Sequence, residues 1–157
     1  GAVGYPNLLD NDWLWGGSMD DIVHTVAHGV RNDTDDDARY SEMPAFGELL
    51  EKEEIAAAVE YVISLSSSET DSALVTAGAE IFADNCSACH GDTGLGDRDV
   101  GAPNLADAIW LYGGDRDAVT VSVANSRFGV MPAWGQRLSD VDVRAVSAYV
   151  HALGGGE

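Results

Sequence analysis

Cys86-Ser87-Ala88-Cys89-His90 decides how the rest of this chain is read. Two thiols at this spacing can form thioethers to the two vinyl groups of one porphyrin. The adjacent imidazole then reaches the iron from one face, which makes C-x-x-C-H the attachment signature of a c-type haem. Three plainer readings compete: a redox dithiol, half of a zinc site, and chance. A dithiol has no need of His90. A zinc site needs about four ligands, and the chain's 2 cysteines both lie in this motif. One haem c bound covalently to Cys86 and Cys89, with His90 on the iron, is the expectation.

The residues downstream add to it. Gly101-Ala102-Pro103-Asn104-Leu105 follows a short loop containing Gly91, Gly94 and Gly96, and Met131-Pro132-Ala133-Trp134 comes later with no helix signal running into it. An iron with one His needs a sixth ligand if it is only to pass electrons, and a soft thioether stabilises the ferrous state. Met131 is the candidate, because Pro132 holds its neighbour extended. Core filler is the plain alternative for a Met.

The order Cys-Cys-His, then Pro, then Met resembles the class I cytochrome c family across residues 72–157. The resemblance implies that the Pro103 carbonyl accepts from Nδ1–H of His90 and fixes the ring, and that Met131 is the distal ligand. Leu105, Trp110, Met131 and Trp134 would then line a pocket of low dielectric. Arg127 is a candidate partner for a haem propionate, with a surface role as the alternative.

The chain has 157 residues, enough for one ordinary domain or two small ones. No apolar stretch approaches the length of a membrane span, and no signal-peptide pattern opens it. Haem c is attached outside the cytoplasm, so an export signal or anchor is expected upstream of this chain. The net charge is −19, from 27 acidic and 8 basic side chains. That argues against nucleic acid and anionic lipid as partners and suits a basic protein. A surface that merely aids solubility is the alternative.

The sequence repeats itself. Pro6-Asn7-Leu8 and Trp13-Leu14-Trp15-Gly16-Gly17 match Pro103-Asn104-Leu105 and Trp110-Leu111-Tyr112-Gly113-Gly114, 97 residues on. Met43-Pro44-Ala45-Phe46-Gly47 and Tyr61-Val62 match Met131-Pro132-Ala133-Trp134-Gly135 and Tyr149-Val150, 88 residues on. The first copy therefore holds 9 extra residues, where the run Asp33-Thr34-Asp35-Asp36-Asp37 reads as a solvated loop rather than a calcium site.

The pattern is all-α. Helices are expected after Ser18, with Ile22, Val23, Val26 and Val30 on one face, over 51–63, from about Leu74, and over 139–153. Gly78 would let the helix of Tyr149 approach closely, the crossing of first and last helices seen in class I cytochromes. The expected organisation is two tandem class I cytochrome c-like domains. Residues 1–65 form a first domain truncated at its N-terminus and lacking its C-x-x-C-H; 66–72 are a linker; 73–157 form a second domain with the motif. The first copy starts just past the place for its own haem motif. A second haem is thus expected in the intact protein, with Met43 as its sixth ligand beside Leu8, Trp13 and Phe46. His24 and His28, four apart on a helix, read as surface or haem-edge residues.

Taken together the paired motifs resemble the dihaem cytochrome c subunit, subunit III, of cbb3-type cytochrome c oxidase, over essentially the whole chain. The ending His151-Ala152-Leu153-Gly154-Gly155-Gly156-Glu157 fits that resemblance, and the absent first motif departs from it. The resemblance implies an electron relay rather than a catalytic subunit. It would carry electrons from a basic periplasmic cytochrome c donor to the other oxidase subunits. Its place would be the periplasmic side of the bacterial inner membrane, held by an N-terminal anchor absent from this chain. The cytochrome subunit of a periplasmic dehydrogenase, a haem peroxidase and a haem-based gas sensor are the alternatives.

Overall fold

A computed structural model describes all residues except Gly1, Glu69 and Glu157, so part of the expected linker and the two chain ends lie outside the described residues. Six α-helices form, and no strand is present among the described residues. They are α1 (Met19–His28), α2 (Lys52–Ser64), α3 (Ser72–Asn85), α4 (Ser87–His90), α5 (Arg116–Asn125) and α6 (Asp140–Ala152). Single 3-10 turns follow each Met-Pro-Ala segment, at Phe46–Glu48 and Trp134–Gln136. The all-α expectation holds; the four expected helices form, but Val30 lies beyond the end of α1, and α5 was not expected from periodicity.

The chain divides into two units, and the division is not the linear one expected. One unit comprises Gly1–Ser41 with Phe128–Glu157; the other is the continuous stretch Glu42–Arg127. Each unit draws on both sequence repeats.

In the continuous unit, α2 packs on α3 and α5. α2 begins at a capping box, with Glu51 and Glu54 each accepting from the other's backbone N–H, which satisfies two of the first-turn donors. It buries Ile55, Ala57, Ala58, Val59, Val62 and Ile63. Asp71 caps α3 by accepting from the N–H of Ala73 at 2.9 Å. Gly78 of α3 sits on α2: a Cβ there would stand 2.0 Å from the Ala57 carbonyl oxygen and 2.8 Å from Cβ of Tyr61. One turn on, Phe82 is 1% exposed, with its ring 5.0 Å from that of Tyr61. The glycine does permit a close helix crossing, but with the helix of Tyr61. Tyr149, the expected neighbour, is 65% exposed. α3 covers the apolar face of α2.

Glu60 ties this unit together. It is buried, accepts from Arg116 Nε at 2.9 Å and Nη2 at 2.8 Å, and accepts from the backbone N–H of Asp71 at 2.8 Å. These partners hold its carboxyl down at about 2, Arg116 contributing most.

In the other unit, α1 packs on α6 and on the turn Trp134–Gln136. Ile22, Val30, Ala133 and Val143 are buried there. Ser18 caps α1, accepting from the N–H of Asp21 at 3.2 Å. The helix ends at Gly29, whose φ of 75° favours glycine. Val30 and Met131 then exchange backbone hydrogen bonds at 3.0 and 2.9 Å.

Candidate haem site

The attachment motif is a turn of helix that follows directly on α3. Cys86 closes α3, its N–H donating to the Phe82 carbonyl at 2.8 Å, and α4 carries Ser87 to His90. Gly91, at φ 74°, ends the turn. Gly94 and Gly96, at φ 72° and 81°, bend the next loop back, so that Gly96 N–H donates to the His90 carbonyl at 2.9 Å and Leu105 N–H to the Gly94 carbonyl at 2.7 Å. A Cβ on Gly96 would lie 2.5 Å from the Ala102 carbonyl oxygen.

That closure brings Pro103 to His90. The imidazole is 8% exposed, and its Nδ1 donates to the Pro103 carbonyl oxygen at 3.1 Å. A carbonyl only accepts, so Nδ1 carries the proton and Nε2 keeps its lone pair. Burial lowers the His90 pKa, opposed by the bond to Pro103. The result is a neutral ring of fixed tautomer, the state a metal ligand requires. Both thiols are free; Cys89 is exposed, and burial raises the pKa of the half-buried Cys86.

The surroundings are apolar. Cys86, Leu105 and Trp110 pack against one buried cluster of Ile55, Val59, Val62, Ile63, Phe82 and Val119. A neutral buried imidazole, two thiols on the same turn and an apolar wall match the needs of a covalently held haem. Much of that wall comes from α2, in the first repeat, which the linear reading did not anticipate.

The candidate residues separate between the units. Cys86, Cys89, His90, Pro103, Leu105, Trp110 and Arg127 share the continuous unit with Met43. Met131 and Trp134 lie in the other unit. Met131 is thus not in the unit that holds His90. The half-buried Met43 stands in the unit of His90, its carbonyl accepting from Ser126 Oγ at the end of α5. Of the residues expected around Met43, Phe46 is buried in the continuous unit, while Leu8 and Trp13 belong to the other.

The two Met segments are anchored alike. A Cβ on Gly47 would meet the Ala124 carbonyl oxygen at 2.8 Å, and one on Gly135 would meet that of Ala27 at 3.0 Å. Each segment thus rests on the central helix of the opposite repeat. The signal that could have found this was the repeat itself, which makes the two Met segments interchangeable in sequence.

His24 and His28 turn to the acidic loop. His24 Nε2 bonds to the Asp37 carbonyl at 3.0 Å and His28 Nδ1 to Asp35 Oδ1 at 3.1 Å.

Comparison with known proteins gives one answer. The family described as "Cytochrome C oxidase, cbb3-type, subunit III" matches residues 73–150. The chain is 63% identical to the cbb3-type cytochrome c oxidase subunit CcoP of Cereibacter sphaeroides, an alignment covering 100% of this chain and 55% of that protein. It is 50% identical to subunit FixP of Sinorhizobium medicae, covering 100% and 54%. It is 46% identical to subunit CcoP of Rhodobacter capsulatus, covering 100% and 56%. The chain spans about half the length of the curated relatives it matches.

Proposed function

This chain belongs to the subunit III family of cbb3-type cytochrome c oxidases, and on that premise we propose that it is an electron relay built on a haem c held by Cys86 and Cys89. The observation that carries the reading is the His90–Pro103 hydrogen bond of 3.1 Å, which leaves Nε2 of a buried neutral imidazole as the proximal ligand. When bound, the haem supplies a one-electron Fe(III)/Fe(II) couple. The chain's own work is to hold the ring from one face, present a thioether from the other, and keep water from the iron.

Met43 is the sixth ligand in this reading, because it shares a unit with His90 and its segment is fixed by Ser126 and Ala124. Met131, fixed on Val30 and Ala27, takes the corresponding role for a second haem in the other unit. Ligands would thus cross between the repeats. An iron held between His90 and Met43 would leave no position for a small substrate, which favours a relay over a peroxidase or gas sensor. Its partners are the other oxidase subunits and a basic donor cytochrome, on the periplasmic face of the membrane. No helix among the described residues is long and apolar enough to cross a membrane.

The test is haem content and coordination. Denaturing electrophoresis with a peroxidase stain should show haem on the chain, and Cys86→Ala with Cys89→Ala should remove the haem of this unit. Haem that extracts freely into acid acetone would overturn the reading.

A further inference from the structure

The end of α1 and the loop after it gather a second set of metal-binding side chains, in the unit that does not hold His90. His28 is the last residue of α1, and its Nδ1 stands 3.1 Å from Oδ1 and 3.2 Å from Oδ2 of Asp35. One ligand atom from each of His28, Asp35 and Asp37 lies within 4.8 Å of the others. Two donors bound to one ion at about 2.0–2.2 Å stand about 3–3.5 Å apart. His28 and Asp35 are already at that spacing, and the exposed Asp37 side chain reaches it by rotating. The backbone holds the aspartates together, for Asp37 N–H donates to Asp35 Oδ1 at 3.0 Å. His24 Nε2 donates to the Asp37 carbonyl at 3.0 Å, from a ring whose centroid is 4.7 Å from that of His28.

The repeat shows that the helix does not need these residues. The positions 97 after His24 and His28 hold Val121 and Asn125, and α5 forms without the imidazoles. The aspartates lie among the 9 extra residues of the first copy. Histidines and carboxylates are therefore present together in one copy and absent together from the other. Among the described residues His28 is the one cationic partner of the Asp35 carboxylate. Arg39, which follows the run, is paired with Asp21 at 3.0 Å. Calcium takes oxygen ligands alone. An imidazole beside two carboxylates suits the borderline ions of the first transition row instead.

We propose that His28, Asp35 and Asp37 bind one divalent first-row transition-metal ion, with His24 as a positioning residue that holds Asp37. Binding forms a bond from the ion to His28 Nδ1 and releases to water the proton that Nδ1 shares with Asp35. No oxidation state changes. Water fills the remaining positions, and the ion ties the acidic loop to the end of α1. The site is separate from the haem and does not depend on it.

The experiment is a calorimetric titration of zinc chloride, at physiological salt, into the full-length haem-loaded protein after treatment with a chelator. Haem takes up Cys86, Cys89 and His90 in that protein, so they do not compete for zinc. His28→Ala and Asp35→Asn should each weaken zinc binding about a hundredfold, and His24→Ala about tenfold. Far-ultraviolet circular dichroism and the visible haem spectrum should be unchanged in all three. Asp33→Asn with Asp36→Asn removes two charges from the same loop and no ligand. It should alter the affinity less than about threefold, because salt screens exposed charges. Excess calcium should not displace the zinc. The proposal falls if zinc does not bind, or binds equally well after His28→Ala. It falls too if Asp33→Asn with Asp36→Asn weakens binding as much as Asp35→Asn, which would mean diffuse attraction to an acidic surface. Displacement by calcium would overturn it as well, because the imidazole would then take no part.

Discussion

Gly47 lies against the main-chain carbonyl of Ala124 so closely that a Cβ would come within 2.8 Å of its oxygen. Gly135 makes the same approach to Ala27, at 3.0 Å. Each glycine is fourth after the Met of its own repeat, and each carbonyl belongs to the central helix of the other repeat. These paired contacts fix where Met43 and Met131 stand, and they make the exchange of Met segments reciprocal.

The first prediction separates the two methionines. Met43→Ala should open the iron of the haem held by Cys86 and Cys89. A water or hydroxide ligand is harder than a thioether, so the potential should fall by more than one decade in the reduction equilibrium, about 59 mV. The ferric thioether charge-transfer band should vanish and ferrous carbon monoxide binding should appear. Met131→Ala should leave this haem unaltered. The opposite pattern would restore the linear pairing of His90 with Met131.

A second prediction concerns the helix crossing. Gly78→Ala forces a methyl group into the Ala57 carbonyl and should destabilise the fold by about 1–3 kcal/mol. Tyr61→Ala removes a ring packed on Phe82 and should cost about 3–5 kcal/mol. Tyr149→Ala, at the matching but exposed position, should stay within about 0.5 kcal/mol. Denaturant unfolding of the three variants measures this, and equal losses at Tyr61 and Tyr149 would contradict the pairing of α2 with α3.

Much of the site was legible in sequence, and its limits have a physical cause. The hydrogen bond from His90 to Pro103 was implied by the family resemblance, and the caps at Ser18 and Ser139 and the helix periods are written in local residues. The choice between α2 and α6 as partner of α3 is not, because Tyr61 and Tyr149 occupy the same place in the repeat. What tips it lies in connectivity. α2 ends at Ser64 and α3 begins at Ser72, while α6 begins only at Asp140. Closing the longer loop costs more entropy, about 0.6 kcal/mol per doubling, and the short linker favours the local pair.

Acid should loosen the continuous unit through Glu60. Its carboxyl is lowered from 4.5 to about 2 by Arg116 and the Asp71 N–H. The folded state therefore binds this proton less readily than the unfolded chain. The stabilisation is fully present above about pH 4.5 and is lost as pH falls through about 2. Glu60→Gln should flatten the acid limb of the stability curve. Arg116→Ala should cost about 1–3 kcal/mol at neutral pH by leaving a buried carboxylate short of donors, less than for a fully buried pair because the arginine is half in water. An unchanged acid limb in Glu60→Gln would remove the carboxylate from this role.

Charge supplies the last prediction, about the donor. The chain carries −19 overall, and residues 1–71 hold 16 acidic against 3 basic side chains. A field of that sign steers a basic partner and raises its association rate. Within the acidic loop the side chains are not equivalent. Asp35 is bonded to His28, whereas Asp33 and Asp36 are exposed and, among the described residues, form no hydrogen bond or ion pair through their carboxylates. Neutralising Asp33 and Asp36 should therefore slow docking without loosening the loop, while Asp35→Asn should do both. The measurement is the second-order rate of reduction of the full-length protein by a basic cytochrome c across ionic strengths. The rate should fall as salt rises, since screening shortens the field's reach to about 8 Å at physiological ionic strength. Asp33→Asn with Asp36→Asn should lower the low-salt rate several-fold and converge with the unmutated protein at high salt. A flat salt profile would mean that the acidic surface serves solubility alone. A steep profile indifferent to the two substitutions would move the docking site elsewhere on the chain.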